Sequence, residues 1–352
     1  MNKDIIIGAD KNWISMSGPE NDVVLTSRVR LARNIEKMRF PNWADDKMRI
    51  EILNLVKKAF EHKSLSNFKV YELDDISDID KRYLSEEYLI SQEFLEPKAG
   101  KAIALRDDRR ICVMINEEDH LRIQCILPGL NIKKCYQEAL NVEQLLGEQM
   151  DFAFSEKIGF LTACPTNVGT ALRASALLHL PAVVISQKMN NLTTMLMKVG
   201  VVVRGAFGEG TNVAGNLFQV SNHITLGKSE DEILENINSI ILNIVEKEKN
   251  ARALLLGESR EKIMDNASRA YGILTHAITL TYEEAIELLS MIRMGSDLGL
   301  ITLNPDLNFN EIMVSIRSSH IAKMVGDKLS ESGECSERAN LIRSKLELNI
   351  IH

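Results

Sequence analysis

The apolar positions of this chain follow two different spacings, and each predicts a kind of secondary structure. Within residues 45–60 the apolar side chains are Met48, Ile52, Leu55, Val56 and Ala59. This spacing is typical of an amphipathic helix. Farther along, apolar runs of only a few residues lie between turn-forming residues, and such short runs are typical of strands. The pattern therefore predicts a mixture of helices and strands.

The strand signal is clearest in a predicted hairpin. Two apolar segments, 101–105 and 111–115, are joined by the turn Asp107-Asp108-Arg109, and residues 121–126 predict a third strand. Further strands are predicted at 158–163, 182–186, 200–204 and 217–221. Hairpins with few parallel crossovers favour an α+β fold, in which helices flank a largely antiparallel sheet.

Helical periodicity dominates from about residue 229 onward. Ser229 and Glu232 form a capping-box pattern before a helical apolar run, and Thr281 and Glu284 repeat the device. The sequence therefore predicts two domains. Residues 1–250 would contain the sheet, and residues 251–352 would form a small all-helical C-terminal domain, of a size that can fold on its own core.

Composition excludes several classes of protein. The 352 residues carry a net charge of −7, which argues against nucleic acid or an anionic membrane as the main partner. The longest apolar runs are much shorter than a membrane span, and no signal-peptide pattern is present. The five cysteines include no CxxC pair, which favours a reduced, cytoplasmic protein without a zinc site or disulfides. No metal-ligating residue is predicted.

Candidate chemistry begins with the acidic run Asn116-Glu117-Glu118-Asp119-His120-Leu121-Arg122 and, farther on, with Cys164-Pro165-Thr166-Asn167-Val168-Gly169-Thr170. Acids grouped beside a strand need a cationic partner. Five arginines occur in four segments: Arg28, Arg30, Arg122, Arg173 and Arg204. Guanidinium groups bind phosphate through paired, charge-assisted hydrogen bonds, so five that converge would bind a triphosphate.

Each of these features also has a purely structural explanation. A single arginine is usually a surface residue, and an acidic triplet is usually an exposed turn. A lone cysteine is usually a small buried side chain, and glycines 205, 208 and 210 alone predict only a flexible loop. No Walker A sequence and no protein-kinase HRD or DFG motif occurs. The combination of features, rather than any one of them, indicates function.

That combination resembles the phosphagen (guanidino) kinase family. Its five motifs are SRVR at 27–30, NEEDHLR at 116–122, CPTNVGT followed by LRAS, the VRGxxGEGT loop, and Phe218-Gln219-Val220-Ser221-Asn222. They occur in the family's order over at least residues 22–245. The resemblance implies the guanidino-kinase catalytic fold and a MgATP site.

The resemblance also implies roles for individual residues. The five arginines would clamp the phosphates, and Glu118 and Glu209 would hold the acceptor guanidinium, with the thiol of Cys164 against the same group. The other implied nucleotide-binding positions are Ser27, Tyr88, Ala174, Ser175, Gly205 and Gly208. The cation that faces the acidic run would then be the acceptor, which arrives charged because a guanidinium has a pKa above ~12.

Domain order favours one branch of the family. Small-molecule guanidino kinases carry a helical domain before the SxRxR motif, whereas here the motif begins at Ser27 and a helical region follows the sheet. This order is similar to the bacterial McsB-type protein arginine kinases. It implies phosphorylation of arginine in protein substrates from MgATP, stress-related tagging for a Clp ATPase and protease, an McsA-like activator and a homodimer. The alternatives are a small-molecule arginine kinase, or a non-catalytic adaptor that binds nucleotide or phosphoarginine.

Two segments depart from the branch. Where the branch has a histidine near adenine, Glu87-Tyr88-Leu89-Ile90-Ser91 places Tyr88, whose ring could stack on the base. Where the branch has an RDxxRA motif that binds phosphoarginine, this chain has Glu334-Cys335-Ser336-Glu337-Arg338-Ala339. Glu334 would repel phosphate, so the sequence predicts that phosphoarginine feedback is absent.

Overall fold

The structure is a computed structural model, and it describes residues 13–205, 214–303, 307–326 and 329–347. Its strands are β1 Val24–Arg33, β2 Phe68–Glu72, β3 Ala102–Arg106, β4 Ile111–Ile115, β5 Leu121–Pro128, β6 Phe154–Ser155, β7 Gly159–Phe160, β8 Leu172–His179, β9 Val201–Gly205 and β10 Leu217–Asn222. Its α-helices are α1 Asp46–Phe60, α2 Asp78–Glu86, α3 Ile132–Gly147, α4 Pro181–Ile185, α5 Met189–Lys198, α6 Glu230–His276, α7 Tyr282–Asp297, α8 Phe309–Ser315, α9 Ser318–Val325 and α10 Glu331–Glu347.

Eight of these strands form one sheet, in the order β2-β3-β4-β5-β1-β8-β10-β9, and β6 pairs with β7 separately. The pairs β2·β3, β3·β4, β4·β5 and β1·β5 are antiparallel. The side chains that β3, β4 and β5 bury are mainly isoleucine, valine, leucine and alanine, which suit a strand covered on both faces. The predicted α+β class with a largely antiparallel sheet is confirmed.

Most of the predicted elements are present. The hairpin is β3 and β4, the third strand is β5, and the segments predicted at 200–204 and 217–221 are β9 and β10. The predicted first helix is α1, which Asp45 caps by accepting a 2.8 Å hydrogen bond from the Met48 amide. Ile52 and Val56 are fully buried, whereas Leu55 is 42% exposed and lies on the outer face.

The prediction of a strand at 182–186 is wrong, because residues 182–185 belong to α4 and Ser186 is its C-cap. Pro181 opens α4, and proline is well suited to the first helical position. The carboxylate of Glu248 accepts hydrogen bonds from the Ala182 and Val183 amides, at 3.0 and 2.9 Å. A buried acid on a distant helix thus satisfies the free amides of the first turn. The strand predicted at 158–163 is shorter than expected, since β7 contains only Gly159 and Phe160.

The helical C-terminal region is also confirmed. Ser229 and Glu232 form the expected reciprocal bonds, with the Ser229 amide 2.7 Å from Oε2 of Glu232 and the Glu232 amide 3.2 Å from Oγ of Ser229. The helix that follows, α6, has non-helical backbone angles at Ser259. In the described part of residues 277–347 all regular elements are helices. The predicted domain boundary at residue 250 falls inside α6 and stays a prediction.

Contacts divide the chain into two units. The first unit contains residues up to 19 together with 26–176 and 221–239, and the second contains 20–25, 177–220 and 240–352. Val113 and Ile123 are among the fully buried side chains of the first unit, and Ile241, Leu274 and Ile286 are among those of the second. Among the described helices, none combines the length and apolarity that crossing a membrane requires.

Candidate active site

Arginine side chains from neighbouring strands of the first unit converge on one face of the sheet. Arg28 and Arg30 are two residues apart on β1, so their side chains point to the same face. Arg122 on β5 pairs with Ala32 of β1, and directly paired residues share a face. Arg173 on β8 lies near enough to lower the pKa of both Arg28 and Arg30. The structure therefore brings four of the five predicted arginines together.

The charges in this cluster are poorly compensated. Burial and the positive charges of Arg122 and Arg173 lower the pKa of Arg28 to about 10, although the Tyr88 phenol opposes the shift. Burial, followed by Arg122 and Arg28, lowers the pKa of Arg30 well below its usual value. Neither Arg28 nor Arg30 forms an ion pair with any residue that the structure describes. A cluster of this kind is suited to a polyanion, whose charge would offset the mutual repulsion of the arginines.

Backbone and amide hydrogen bonds hold the strands that carry these arginines. Asn222 accepts from the Ala174 amide at 2.7 Å and donates to the Leu172 carbonyl at 3.0 Å, which fixes β8 on either side of Arg173. Arg173 itself donates to the Ser221 hydroxyl at 3.2 Å.

Both serines predicted to bind nucleotide are also used inside the protein. Ser27 is fully buried, donates to the Gly129 carbonyl at 2.8 Å and accepts from the Asn131 amide at 2.9 Å. Ser175 is buried as well and donates to the Arg28 carbonyl at 3.4 Å. These contacts position the arginine-bearing strands.

The first acid of the run, Glu117, is the partner of Arg122. Its carboxylate accepts from Nη1 of Arg122 at 2.5 Å and from the Ser91 hydroxyl at 2.6 Å. Burial favours the neutral form, but Arg122 and these hydrogen bonds outweigh it and lower the pKa of Glu117 below its usual value. Glu117 is therefore an ionised residue that orients Arg122.

The third acid, Asp119, connects the run to the cysteine loop. It is 2% exposed and accepts from Nδ2 of Asn34 at 2.6 Å and from the Ala163 amide at 2.7 Å. Burial raises the pKa of Asp119, and these two hydrogen bonds oppose the shift. Because Ala163 precedes Cys164 in the chain, Asp119 fixes the start of the cysteine loop beside the acids.

The second acid, Glu118, is the one that remains exposed. Partial burial, together with the charges of Asp119 and Glu117, raises its pKa above the usual value, and Arg122 and Arg30 oppose the shift. Glu118 is thus close to both the acids and the arginines. A carboxylate with a raised pKa at an open position is suited to receiving a cation or a proton.

The cysteine loop is shaped by its backbone. Cys164 is half-buried, its Sγ lies 3.0 Å from Oγ1 of Thr166, and its carbonyl accepts from the Thr162 hydroxyl at 2.8 Å. Gly169 has a φ of +113°, and a Cβ there would lie 2.3 Å from the Thr225 carbonyl oxygen. Only glycine fits that approach, so the loop returns to the sheet at this residue.

Several of these groups line one pocket of about 470 Å³ in the first unit, although Arg28 and Cys164 are not part of its lining. Its lining includes Arg30, Arg122 and Arg173 together with Glu117, Glu118 and Asp119. Cationic and acidic groups therefore line the same space, as a site that joins a polyphosphate to a guanidinium requires.

The remaining predicted residues have different placements. Tyr88 is half-buried, with a φ of +61° and its ring 6.0 Å from that of Trp13. Arg204 is exposed and Gly205 half-buried at the end of β9, in the second unit. Gly208 and Glu209 lie outside the described residues.

Several residues around the site were not predicted from the sequence. Ser91, Asn34 and Asn222 support Glu117, Asp119 and β8 through the hydrogen bonds described above. Asn222 belongs to a quoted motif and could have been proposed. Ser91 and Asn34 are single polar residues whose partners lie 26 and 85 residues away in the chain, so no local pattern reveals them.

Comparisons with known proteins agree with this geometry. Residues 51–251 match the ATP:guanido phosphotransferase C-terminal catalytic domain, and residues 260–350 match the protein-arginine kinase McsB C-terminal domain. The chain belongs to the ATP:guanido phosphotransferase family. The family resemblance predicted from the motifs is confirmed.

Two relatives match this chain over nearly their full lengths. A protein-arginine kinase of Halothermothrix orenii is 41% identical over 98% of this chain and 99% of its own length. A protein-arginine kinase of Desulforamulus reducens is 42% identical over 98% of each.

Solved structures show the same fold at lower identity. Lombricine kinase has a TM-score of 0.59 and 23% identity, and the match covers 69% of this chain and 70% of that one. The substrate-free duplicated taurocyamine kinase from Schistosoma mansoni also has a TM-score of 0.59, with 22% identity over 94% of this chain and 51% of that one. At these identities the likeness concerns the fold.

Proposed function

We propose that this protein transfers the γ-phosphoryl group of ATP to the guanidinium of arginine residues in proteins. The observation that carries the proposal is the pocket in which three arginines and the exposed Glu118 face the same space. The first group is suited to a polyphosphate, and the second is suited to a cation. The protein-arginine kinases that match over almost the whole chain support arginine in proteins as the acceptor.

In this reaction the nitrogen of the acceptor forms a bond to the γ-phosphorus while the bond from that phosphorus to the β-γ bridging oxygen breaks, and ADP leaves. The nitrogen loses a proton, which the carboxylate of Glu118 receives. Arg28, Arg30, Arg122 and Arg173 stabilise the charge on the transferring group, as does the Mg²⁺ that arrives with the nucleotide. Glu117 contributes by holding Arg122 in place.

The remaining predicted site residues complete the proposal. Glu209 would hold the guanidinium together with Glu118, and Cys164 would assist in orienting it. Arg204, Gly205 and Gly208 would contact the phosphates, and Tyr88 would contact the adenine. The Tyr88 phenol acts on the pKa of Arg28, which supports its placement beside the nucleotide. Ser27, Ala174 and Ser175 would act through the strands that they hold.

The family also suggests a setting for this activity. We propose a cytoplasmic homodimer in which residues 1–250 form the catalytic domain and residues 251–352 the helical domain. The family resemblance supports an McsA-like activator, and it supports delivery of the tagged proteins to a Clp ATPase and protease under stress. The match of residues 260–350 to the McsB C-terminal domain supports the division into domains.

The test is incubation of the protein with MgATP and an unfolded protein that contains arginine, followed by mass spectrometry without acid steps. We expect phosphate on arginine that acid removes. Phosphorylation of free arginine alone would favour the small-molecule kinase instead. Nucleotide binding with neither product would favour the non-catalytic adaptor.

A further inference from the structure

An exposed tryptophan directly follows a residue of the pocket lining and has no role in the mechanism above. Trp43 is 80% exposed, whereas the other tryptophan of the chain, Trp13, is 2% exposed. Burying an aromatic side chain removes roughly 150–250 Å² from water, and tryptophan is enriched among the residues that dominate binding interfaces. An indole left in solvent to this extent is an available contact for a partner.

The position of Trp43 relates it to the acceptor site. Its neighbour Asn42 lines the same pocket as Glu118, and adjacent Cα atoms are about 3.8 Å apart. The backbone of Trp43 therefore lies beside a residue of the pocket lining, and its indole is in solvent. Glu93, Glu96, Lys98 and Lys101 also line the pocket, so this part of its lining carries both signs of charge.

The turn that carries Trp43 is fastened to the acidic run. Nε2 of His120 donates to the Arg39 carbonyl at 2.9 Å, since Nδ1 of the same ring accepts from the Ile35 amide at 2.9 Å. The ring of Phe40 meets the His120 ring edge-on, with 6.4 Å between centroids. The Trp43 amide then donates to the Phe40 carbonyl at 2.8 Å.

A second set of bonds fastens the other end of the turn. Nη1 of Arg49 donates to the Pro41 carbonyl at 3.3 Å and also to the Ala44 carbonyl. Nδ2 of Asn116 donates to the Arg49 carbonyl at 2.9 Å. Asn116 and His120 lie on either side of the three acids, so the acids and the turn share one rigid support. When a partner binds to a contact that is already held in place, little of the protein has to become ordered, so the entropic cost of binding is small.

We propose that Trp43 docks the polypeptide that carries the acceptor arginine, by packing against an apolar side chain near that arginine. This inference rests on the proposed function. A free guanidino compound ends inside the pocket, whereas an extended chain covers about 3.3–3.6 Å per residue and so crosses the rim within a few residues. The preferred acceptor is then an unfolded segment with an apolar residue near the arginine.

Two short peptides free of tryptophan test the proposal. One has a single arginine with a leucine near it, and the other has glycine in place of that leucine. With Trp43→Ala we expect kcat/KM for the leucine peptide to fall at least about tenfold, with little change for the glycine peptide. The control Leu55→Ala removes another exposed apolar side chain, on the outer face of α1, and should leave both values unchanged.

Equal losses on the two peptides, or none on either, would overturn the docking role. If the wild-type protein phosphorylated neither peptide nor any unfolded protein, the proposed function itself would fail.

Fluorescence provides a readout that does not depend on turnover. In the presence of MgADP, saturating leucine peptide should reduce the quenching of wild-type emission by acrylamide, because the peptide covers the exposed indole. In Trp43→Phe the buried Trp13 is the remaining tryptophan, so the peptide should leave its quenching unchanged. Unaltered quenching of the wild-type protein at saturation would contradict the proposal.

Discussion

At the scale of single residues, three consecutive acids have three different roles. Glu117 is held by Arg122 and Ser91, and Asp119 is held by Asn34 and the Ala163 amide. Glu118 is exposed, and its pKa is raised. The two acids with tight partners are fixed by hydrogen bonds that shape the site. The acid that remains open to the pocket is the one that can act on a bound substrate.

Glu118→Gln keeps the shape of the side chain and removes its charge. We expect kcat to fall at least about 100-fold, the effect of losing an electrostatic contact made in the transition state. Binding of ATP should change little, because the arginine cluster stays intact. Steady-state kinetics and nucleotide titration measure the two quantities.

The control for this prediction is Glu156→Gln, a change at an exposed acid in the turn between β6 and β7. It should have wild-type turnover. Near-normal turnover of Glu118→Gln would remove Glu118 from the mechanism.

At the scale of elements, the cysteine loop depends on one backbone conformation. Gly169→Ala would force a side chain into a φ of +113° and place its Cβ 2.3 Å from the Thr225 carbonyl oxygen. Strain of this kind costs about 1–3 kcal/mol before the steric clash is added. We therefore expect a large loss of stability together with reduced activity.

Gly227→Ala is the matched control for this loop. Gly227 also has a positive φ, of +79°, but a Cβ there would meet nothing within 4 Å. Its cost should be only about 1 kcal/mol. Chemical denaturation compares the variants, and equal losses would show that the contact with Thr225 is unimportant.

A buried histidine gives the second unit a pH-dependent stability. His179 on β8 is fully buried, its Nε2 lies 2.8 Å from Oγ of Ser290, and burial with the charges of Arg293 and Arg252 lowers its pKa well below 6.5. Below pH 6.5 the unfolded chain binds a proton at His179 that the folded chain does not. The folded state therefore loses stability as pH falls from about 6.5 toward the lowered pKa, by up to about 1.4 kcal/mol per pH unit.

Replacing His179 tests this linkage. Below pH 6.5, the slope of the unfolding free energy against pH should be smaller in His179→Asn than in the wild type, by up to about 1.4 kcal/mol per pH unit. His62→Gln changes an exposed histidine and should keep the wild-type slope. Denaturant titrations at several pH values measure it, and the same slope in His179→Asn and wild type would refute the assignment.

At the scale of the whole molecule, a buried guanidinium of the helical region is held by internal groups. The guanidinium of Arg338 donates to the Ile316 and Leu280 carbonyls at 2.8 and 2.9 Å. Glu334 lies 3.6 Å from the same guanidinium and accepts from the Ser318 hydroxyl at 2.7 Å. Glu334 and two backbone carbonyls therefore already contact the guanidinium of Arg338, the group that would have to bind a phosphoarginine.

We accordingly expect no binding of free phosphoarginine to the wild-type helical region and no effect of phosphoarginine on catalysis through it. Glu334→Arg would remove the internal acid and add a cation, and it should create measurable binding. Calorimetric titration with a non-hydrolysable phosphoarginine analogue separates the two proteins. Binding to the wild type that depends on Arg338 would show that feedback is retained.

Much of this architecture follows from local sequence. The hairpin of β3 and β4 follows from two apolar runs around a polar turn, and α6 and α7 begin at capping residues. Hydrophobic period and capping act over a few residues, so they can be read along the chain. The spacing of Arg28 and Arg30, two residues apart in one strand, likewise places their side chains on the same face.

What only the tertiary structure decided depends on contacts between distant parts of the chain. Residues 181–185 have an apolar strand-like sequence but form a helix, because Glu248, which lies 66 residues beyond Ala182, caps their amides. The roles of Glu117, Glu118 and Asp119 were set in the same way, since Ser91 and Asn34 select which acids become fixed. The exposure of Trp43 is likewise decided by packing. Sequence determined the local conformations and the supply of charged groups, whereas burial and long-range hydrogen bonds determined which of those groups remain available for chemistry.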